Sequence, residues 1–154
     1  MPIDTSLEFV PINIAVITIS DSRTKENDTS GDTLEKRITD AGHQMIKRTI
    51  IPDDVSKIKD TLNAMSKEKD IDCIITTGGT GLTGRDTTPE AVKEIANKHI
   101  DGFGELFRQV SFEKIGTSAI QSRAVAALIN STYVFCLPGS TGACKDGWDE
   151  ILQY

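Results

Sequence analysis

Cysteine and histidine, the residues that most often build zinc centres and nucleophilic active sites, are scarce in this sequence. Its 154 residues include three cysteines and two histidines. Cys73, Cys136 and Cys144 show no metal-ligand spacing, and His43 and His99 have no zinc-binding context. Two of the cysteines lie inside apolar runs, which is typical of buried thiols. These absences argue against a zinc module or a disulfide framework and favour a reducing cytoplasm.

An excess of basic charge and a long apolar run are also missing. The formal net charge is −6, whereas a protein that binds nucleic acid or an anionic membrane needs a basic face. No apolar run approaches the length of a membrane span. With 38% hydrophobic and 26% charged residues, the chain has the composition of one soluble globular domain. To bind phosphate, such an acidic chain needs backbone N–H groups, a few arginines and a metal ion.

Apolar, β-branched segments alternate with amphipathic segments along the chain. The predicted strands, of which the second is the weakest, are 12–19, 47–51, 71–77 and 132–137. Apolar residues at helical spacing lie between and after them, for example Phe103, Leu106 and Phe107. We also expect Ser118 to cap a helix. That helix would carry Ile120, Ala124, Val125 and Leu128.

This alternation predicts the fold class. Strand–helix–strand units imply right-handed crossovers, so we expect a single-domain α/β three-layer sandwich with a mainly parallel sheet and helices on both faces. The predicted domain spans residues 12–154. Residues 1–11 lack the basic start and apolar core of a signal peptide, and they are predicted to form an N-terminal arm.

In parallel sheets of this kind, ligands bind outside the carboxyl ends of the strands. The turns that follow the four predicted strands are small, polar or acidic. They are Ser20-Asp21, Pro52-Asp53-Asp54, Gly78-Gly79-Thr80-Gly81 and Pro138-Gly139-Ser140-Thr141. The sequence therefore predicts a ligand site at this edge of the sheet.

The third turn contains an apparent dinucleotide fingerprint, formed by Gly79, Gly81 and Gly84. That motif requires the following helix to begin among the glycines, so that the pyrophosphate meets the helix N-terminus. Here the helix start signal comes later, with Thr88 as the predicted N-cap and Pro89 after it. The loop between strand and helix is therefore too long for the fingerprint.

The same glycines also match the first six positions of a P-loop, but the next residues do not. A P-loop continues with Lys and then Ser or Thr, whereas this chain has Arg85 and Asp86. Two interpretations remain: a flexible surface loop, or a phosphate cradle of backbone N–H groups and hydroxyls that ends in a metal-binding carboxylate. The members of the cradle are Thr76, Thr77, Gly78, Gly79, Thr80 and Gly81.

Taken together, these segments resemble the MoaB/Mog family of molybdenum cofactor biosynthesis. The matching motifs are Ser20-Asp21, Thr76-Thr77-Gly78-Gly79-Thr80-Gly81, Gly84-Arg85-Asp86, Thr88-Pro89-Glu90-Ala91 and Leu137-Pro138-Gly139. The resemblance runs from about Ile12 to the end of the sequence. Segments 102–108, 116–123 and 137–144 resemble the MoaB branch, because the Mog branch usually has a second proline where this chain has Ser140-Thr141.

The resemblance implies that the chain binds molybdopterin, assembles as a homotrimer or a dimer of trimers, and adenylylates molybdopterin with Mg²⁺ and ATP. Other enzymes of the pathway are further candidate partners. Because the two branches need not share activity, a non-catalytic molybdopterin carrier is the alternative function, and a structural assembly module is a third. By position, Asp53 and Asp86 match the catalytic and metal-binding residues of the family. The predicted binding residues are Ser20, Asp21, Thr76, Gly78, Gly79, Thr80, Gly81, Arg85, Pro138, Gly139 and Ser140.

Each acidic residue also has a purely structural interpretation. Asp53 or its neighbour Asp54 could cap the helix that follows, and the two could divide capping and site roles. Asp86 could only favour the nearby helix N-terminus, and Asp21 could only close its turn. Ser140 is a candidate cap for the last helix.

Overall fold

The computed structural model describes residue 4 and residues 6–154, which form a six-stranded sheet with helices on both faces. The strands are β1 (Asn13–Ile19), β2 (Gln44–Ile51), β3 (Cys73–Thr77), β4 (Lys98–His99), β5 (Val125–Ile129) and β6 (Thr132–Leu137). The helices are α1 (Thr29–Asp40), α2 (Val55–Met65), α3 (Thr88–Ile95), α4 (Asp101–Ile115) and α5 (Thr141–Gly147). A 3₁₀ turn (Gly116–Gln121) follows α4, and a π-helical turn (Trp148–Leu152) follows α5.

The strand order β2-β1-β3-β6-β5-β4 confirms the predicted α/β class. The first four strands of this order are parallel, and β5 and β4 continue the sheet in antiparallel pairing. The register pairs Thr18 with Thr77 and Thr77 with Leu137. The carboxyl ends of β1, β3 and β6 therefore meet at one edge, and their turns are brought together.

Both faces of the sheet are covered by apolar clusters, because successive side chains of a strand point to opposite faces. In β1, Ile17 packs with α2 and α3, whereas Val16 packs with α1, α4 and the turn that contains Trp148. This arrangement confirms the three-layer prediction. In the described part of the chain, no helix is long and apolar enough to cross a membrane.

The predicted helix at Ser118 is wrong. Ser118 lies in the 3₁₀ turn, and Val125 begins strand β5, which pairs with β6. Both faces of β5 are covered, so its residues are apolar without the alternation that marks a half-exposed strand. Asn130 and Ser131 join β5 to β6 with φ angles of 48° and 75°, the left-handed values of a two-residue hairpin turn.

The predicted N-terminal arm falls partly on residues 1–3 and 5, which lie outside the described residues. In the described part, Leu7 and Val10 are exposed. The ring of Phe9 lies 5.0 Å from the ring of His43, measured between centroids. The boundary between arm and domain stays a prediction.

Candidate functional site

A cavity of about 690 Å³ opens where β1, β3 and β6 end. Its volume is within the range of small-molecule sites, about 300–1,000 Å³. All predicted site residues except Thr76 and Arg85 line it. They are Ser20, Asp21, Asp53, Gly78, Gly79, Thr80, Gly81, Asp86, Pro138, Gly139 and Ser140. The topology thus gathers turns that are up to 120 residues apart into one wall.

Two glycines of the third turn have backbone conformations that other residues rarely adopt. Gly78 and Gly79 have φ angles of +105° and +68°. A Cβ on Gly78 would lie 2.1 Å from the Ile19 carbonyl oxygen, and one on Gly79 would lie 2.2 Å from Thr88 Oγ1. The glycines therefore let the turn pass close to the end of β1.

The turn is tied directly to helix α3. Thr88 Oγ1 donates to the Gly78 carbonyl (3.1 Å), and the Thr88 N–H donates to the Gly79 carbonyl (2.9 Å). Thr88 is the first helical residue, so the prediction that it serves as the N-cap is wrong by one position. The prediction failed because the buried Thr88 hydroxyl bonds to the glycine turn, whereas the hydroxyl of an N-cap residue would bond to the backbone of the helix.

Asp53 and Asp54 have different roles. Asp54 caps α2, since its Oδ1 accepts from the Lys57 N–H at 2.9 Å. Asp53 is buried on the cavity wall, and its Oδ1 accepts from the N–H (3.1 Å) and the hydroxyl (2.8 Å) of Thr87. Its other oxygen, Oδ2, would lie 2.9 Å from a Cβ at Gly79. The geometry therefore leaves Asp53 facing the glycine turn.

The carboxylate of Asp86 lies over Gly81, where a Cβ would come within 2.7 Å of Oδ2. Oδ2 accepts from the hydroxyl (2.6 Å) and the N–H (2.9 Å) of Thr83. These hydrogen bonds, the hydroxyl's foremost, lower the pKa of Asp86 against the opposing effect of burial. Asp86 is thus ionised at neutral pH and held by its own loop, not by the N-terminus of α3.

The two predicted site residues outside the cavity wall are Thr76 and Arg85. Thr76 is fully buried in β3, beside Cys136 of β6. Arg85 is exposed and pairs with Asp21, at 2.6 Å from Nη2 to Oδ2. Asp21 Oδ1 also accepts from the Asp53 N–H at 3.2 Å. Arg85 therefore links its own loop to the first turn at the surface, whereas Asp21 itself joins the first two turns.

The turn after β6 is held by hydrogen bonds from β3 and from α1. Thr77 Oγ1 donates to the Pro138 carbonyl (3.0 Å), and Ser30 Oγ of α1 donates to the Gly139 carbonyl (2.8 Å). Ser140 Oγ accepts from the Ala143 N–H (3.1 Å) and caps α5, as its structural interpretation predicted.

Sequence reasoning missed the network that anchors α1. Asp28 is fully buried, and its Oδ1 accepts from the Gly31 N–H at 3.0 Å. Its Oδ2 accepts from Thr18 Oγ1 (2.7 Å) and Arg48 Nη2 (2.8 Å). Burial opposes ionisation of Asp28, but these hydrogen bonds together outweigh it and lower the pKa. The sequence does contain one signal for this cap, because Asp28 immediately precedes a helical pattern.

The far wall of the cavity was also missed. Phe107, Ser111 and Ile115 are four residues apart and share one face of α4. The sequence offered one clue, a polar Ser111 in the apolar stripe that starts at Phe103. The cavity is also lined by Gln121, Ser122, Gly142, Ala143 and Asp146.

The described residues contain no group of three or more His, Cys, Asp or Glu side chains that could hold a metal ion. Asp53 and Asp86 nevertheless fit magnesium, because this ion is commonly held by one or two carboxylates together with substrate phosphates and water. The cysteine thiols do not suit catalysis. Burial raises the pKa of Cys136 to about 12 and that of Cys144 to about 11, so both stay protonated at neutral pH.

Residues 15–154 match a protein family described as “Probable molybdopterin binding domain”. Molybdenum cofactor biosynthesis protein B of Escherichia coli K12 is 43% identical over 147 residues, which cover 96% of this chain and 86% of that protein. The same-named protein of Bacillus cereus is 42% identical, with coverages of 92% and 84%. A crystal structure of a molybdenum cofactor biosynthesis protein B matches with a TM-score of 0.90, 40% identity and coverages of 94% and 90%. A tungsten cofactor synthesizing protein MoaB from Pyrococcus furiosus matches with a TM-score of 0.83, 34% identity and coverages of 92% and 91%.

Proposed function

This chain belongs to the MoaB branch of the MoaB/Mog family of molybdenum cofactor biosynthesis and contains its molybdopterin-binding domain. We propose that it adenylylates molybdopterin with Mg-ATP. One observation carries the proposal. Asp53 and Asp86 flank the same glycine turn, Asp53 at Gly79 and Asp86 at Gly81, within one cavity.

The proposed reaction needs no general base. The terminal phosphate of molybdopterin is already ionised and attacks the α-phosphorus of ATP. A new P–O bond forms, the bond between the α- and β-phosphates breaks, and pyrophosphate leaves with the electron pair. The reaction would therefore need neither histidine nor a thiolate, and neither residue type is among the described residues that line the cavity.

The main obstacle is the approach of two polyanions. Two like unit charges about 4 Å apart repel by about 4 kcal/mol at the effective dielectric constant of a protein surface. The Gly79 N–H group and the Thr80 hydroxyl on the cavity wall are the donors we assign to the phosphates, because the Gly78 N–H already donates to the Leu137 carbonyl at 3.0 Å. When bound, magnesium would offset the remaining charge and orient an in-line displacement. Asp53 and Asp86 are the residues that would hold it.

The direct test is to incubate the purified chain with molybdopterin, ATP and Mg²⁺ and to measure pyrophosphate and the adenylylated product. We expect Asp53→Asn to lower turnover at least tenfold, equivalent to about 1.4 kcal/mol in the activation barrier. Asp54→Asn is the matched control, because Asn caps helices as well as Asp does and Asp54 does not line the cavity. Equal losses in the two variants would contradict the assignment.

Release of no pyrophosphate by the unmodified chain would contradict the adenylyltransferase function. If the protein then still retained pterin fluorescence after gel filtration, the molybdopterin carrier would be the supported alternative. Light scattering in the same buffer tests the proposed homotrimer or dimer of trimers. The proposed location, the cytoplasm, can be checked by cell fractionation.

A further inference from the structure

Arg123 contacts the loop between β3 and α3 (the glycine loop) at two points and helix α3 at a third, although it lies on a different segment, just before β5. Its Nε donates to the Gly81 carbonyl at 2.8 Å, and its Nη2 donates to the Asp86 carbonyl at 2.7 Å. Its Nη1 forms an ion pair with Glu90 of α3. One guanidinium therefore bridges the two ends of the segment Gly81–Asp86 and the helix that follows.

This segment has little else to hold it. Its middle residues are exposed, and a Cβ placed on Gly84 would meet no atom within 4 Å. The hydrogen bonds between Thr83 and Asp86 lie within the segment itself, and the pairing of Arg85 with Asp21 is at the surface. Exposed ion pairs of that kind hold a loop weakly. Arg123 is therefore the main polar link from the body of the domain to the backbone of the segment.

Arg123 does not line the cavity, so its position does not suit direct contact with a phosphate. Its nitrogens are instead aimed at backbone carbonyls and a carboxylate, in the planar fork that only a guanidinium offers. Lysine presents a single ammonium nitrogen and cannot reproduce this arrangement.

We propose that Arg123 is a positioning residue that fixes the segment Gly81–Asp86 and thereby keeps the Asp86 carboxylate over Gly81 in the cavity. The expected effect of Arg123 on turnover rests on the proposed adenylyltransferase function. The expected effect on the order of the loop does not, because the loop can be measured without substrate.

The first experiment measures amide hydrogen exchange of the unliganded protein for peptides that cover residues 81–86. We expect exchange at least tenfold faster in Arg123→Lys and in Arg123→Met, with unchanged exchange in the strands. The matched control is Glu90→Gln, which removes the ion pair and leaves both carbonyl contacts; we expect less than a threefold change. Unchanged exchange of the segment in both Arg123 variants would overturn the proposal. Arg123→Lys retains the charge and most of the stem, so it serves if Arg123→Met does not fold.

The second experiment is a double-mutant cycle on turnover with Arg123→Lys and Asp86→Asn. If Arg123 acts through Asp86, the lysine variant lowers kcat at least tenfold in the native background and has less than a threefold effect beside Asp86→Asn. Multiplicative losses would overturn the positioning role. Absence of turnover in the unmodified chain would contradict the proposed function alone, since the exchange result would still decide the role of Arg123.

Discussion

Two carboxylates near the edge of the sheet differ in how completely the protein surrounds them. Asp28, where α1 begins, is fully buried; both of its oxygens accept hydrogen bonds, and Arg48 neutralises its charge. Asp86, in the glycine loop, faces the cavity and forms no salt bridge with any described residue. Both carboxyl groups nevertheless have a lowered pKa and are ionised at neutral pH.

Ionisation alone therefore does not distinguish a carboxylate whose charge is matched within the fold from one whose charge is left for a ligand. The charge of Asp28 is already matched, so it stabilises the fold and has nothing left to offer a ligand. The charge of Asp86 is supported by hydrogen bonds without a direct cationic partner, so it remains available to a cation in the cavity. Substitution at each position should therefore affect a different property of the protein.

The largest expected effect is on stability, at Asp28. Asp28→Ala leaves Arg48 without its buried partner and removes the cap of α1, and loss of one partner of a buried pair costs about 3 kcal/mol. Urea unfolding would measure the difference. The control is Asp32→Ala, which removes a second, mostly exposed partner of Arg48 and should cost less than about 1 kcal/mol. Similar losses in the two variants would break the comparison.

The next effect is on turnover, at Asp86. Asp86→Asn removes the charge but keeps an oxygen that can accept from Thr83, so we expect nearly unchanged unfolding by urea. Adenylylation should fall at least tenfold, or about 1.4 kcal/mol in the barrier. Unchanged pyrophosphate release would refute a catalytic role for Asp86.

A smaller loss of turnover is expected from Gly81→Ala, which displaces the Asp86 carboxylate without removing it. A Cβ here would come within 2.7 Å of Oδ2, and Gly81 does not have a positive φ. Gly79→Val should also block ligand approach, but it strains a φ of +68° and clashes with Thr88, so it tests folding as well. Pterin fluorescence titration of Gly81→Ala should show binding that is retained while turnover falls. Turnover equal to that of the unmodified chain would contradict a role for the position of Asp86.

The smallest effect is expected from a change of pH between about 5 and 8 on the stabilisation that Asp28 provides. The folded-state pKa of Asp28 is lowered, so its stabilising contribution is complete above the unfolded pKa of about 3.9 and is lost as pH falls below it. The difference in unfolding free energy between the native chain and Asp28→Ala should therefore stay constant above about pH 5 and shrink in more acidic buffer. A difference that already shrinks between pH 8 and pH 6 would contradict the assignment.

The sequence predicted the parts of the fold that carry a strong local signal. Strands β1, β3 and β6 are apolar and β-branched, and the rule for ligand sites in parallel sheets then placed the cavity at their ends. Strand β5 was mistaken for a helix because an apolar run covered on both faces has no informative period. The resemblance to the MoaB/Mog family is confirmed by the match of residues 15–154 to a molybdopterin-binding domain family and by relatives named molybdenum cofactor biosynthesis protein B that are 42–43% identical.

The partners of individual side chains were beyond prediction. Asp53 and Asp54 are adjacent and identical in type, and only the packing of Thr87 against one of them separates the wall residue from the cap. Arg123 bonds to a carbonyl 42 positions earlier in the chain, and nothing local marks that contact. Residue type and turn position therefore located the site, whereas the hydrogen bonds within it depend on tertiary structure.

The crowding around Gly78 has a consequence for redesign of the cavity. A Cβ on Gly78 would strike the end of β1, and one on Gly139 would lie 3.3 Å from the Gly78 Cα. The turns after β1, β3 and β6 are therefore packed so closely that a larger residue in one of them would displace another. The α4 wall imposes no such restriction, because Ser111 and Ile115 reach the cavity as side chains of a helix face. A broader range of ring-shaped ligands should therefore be sought by varying that helix, with the strand-end turns left intact.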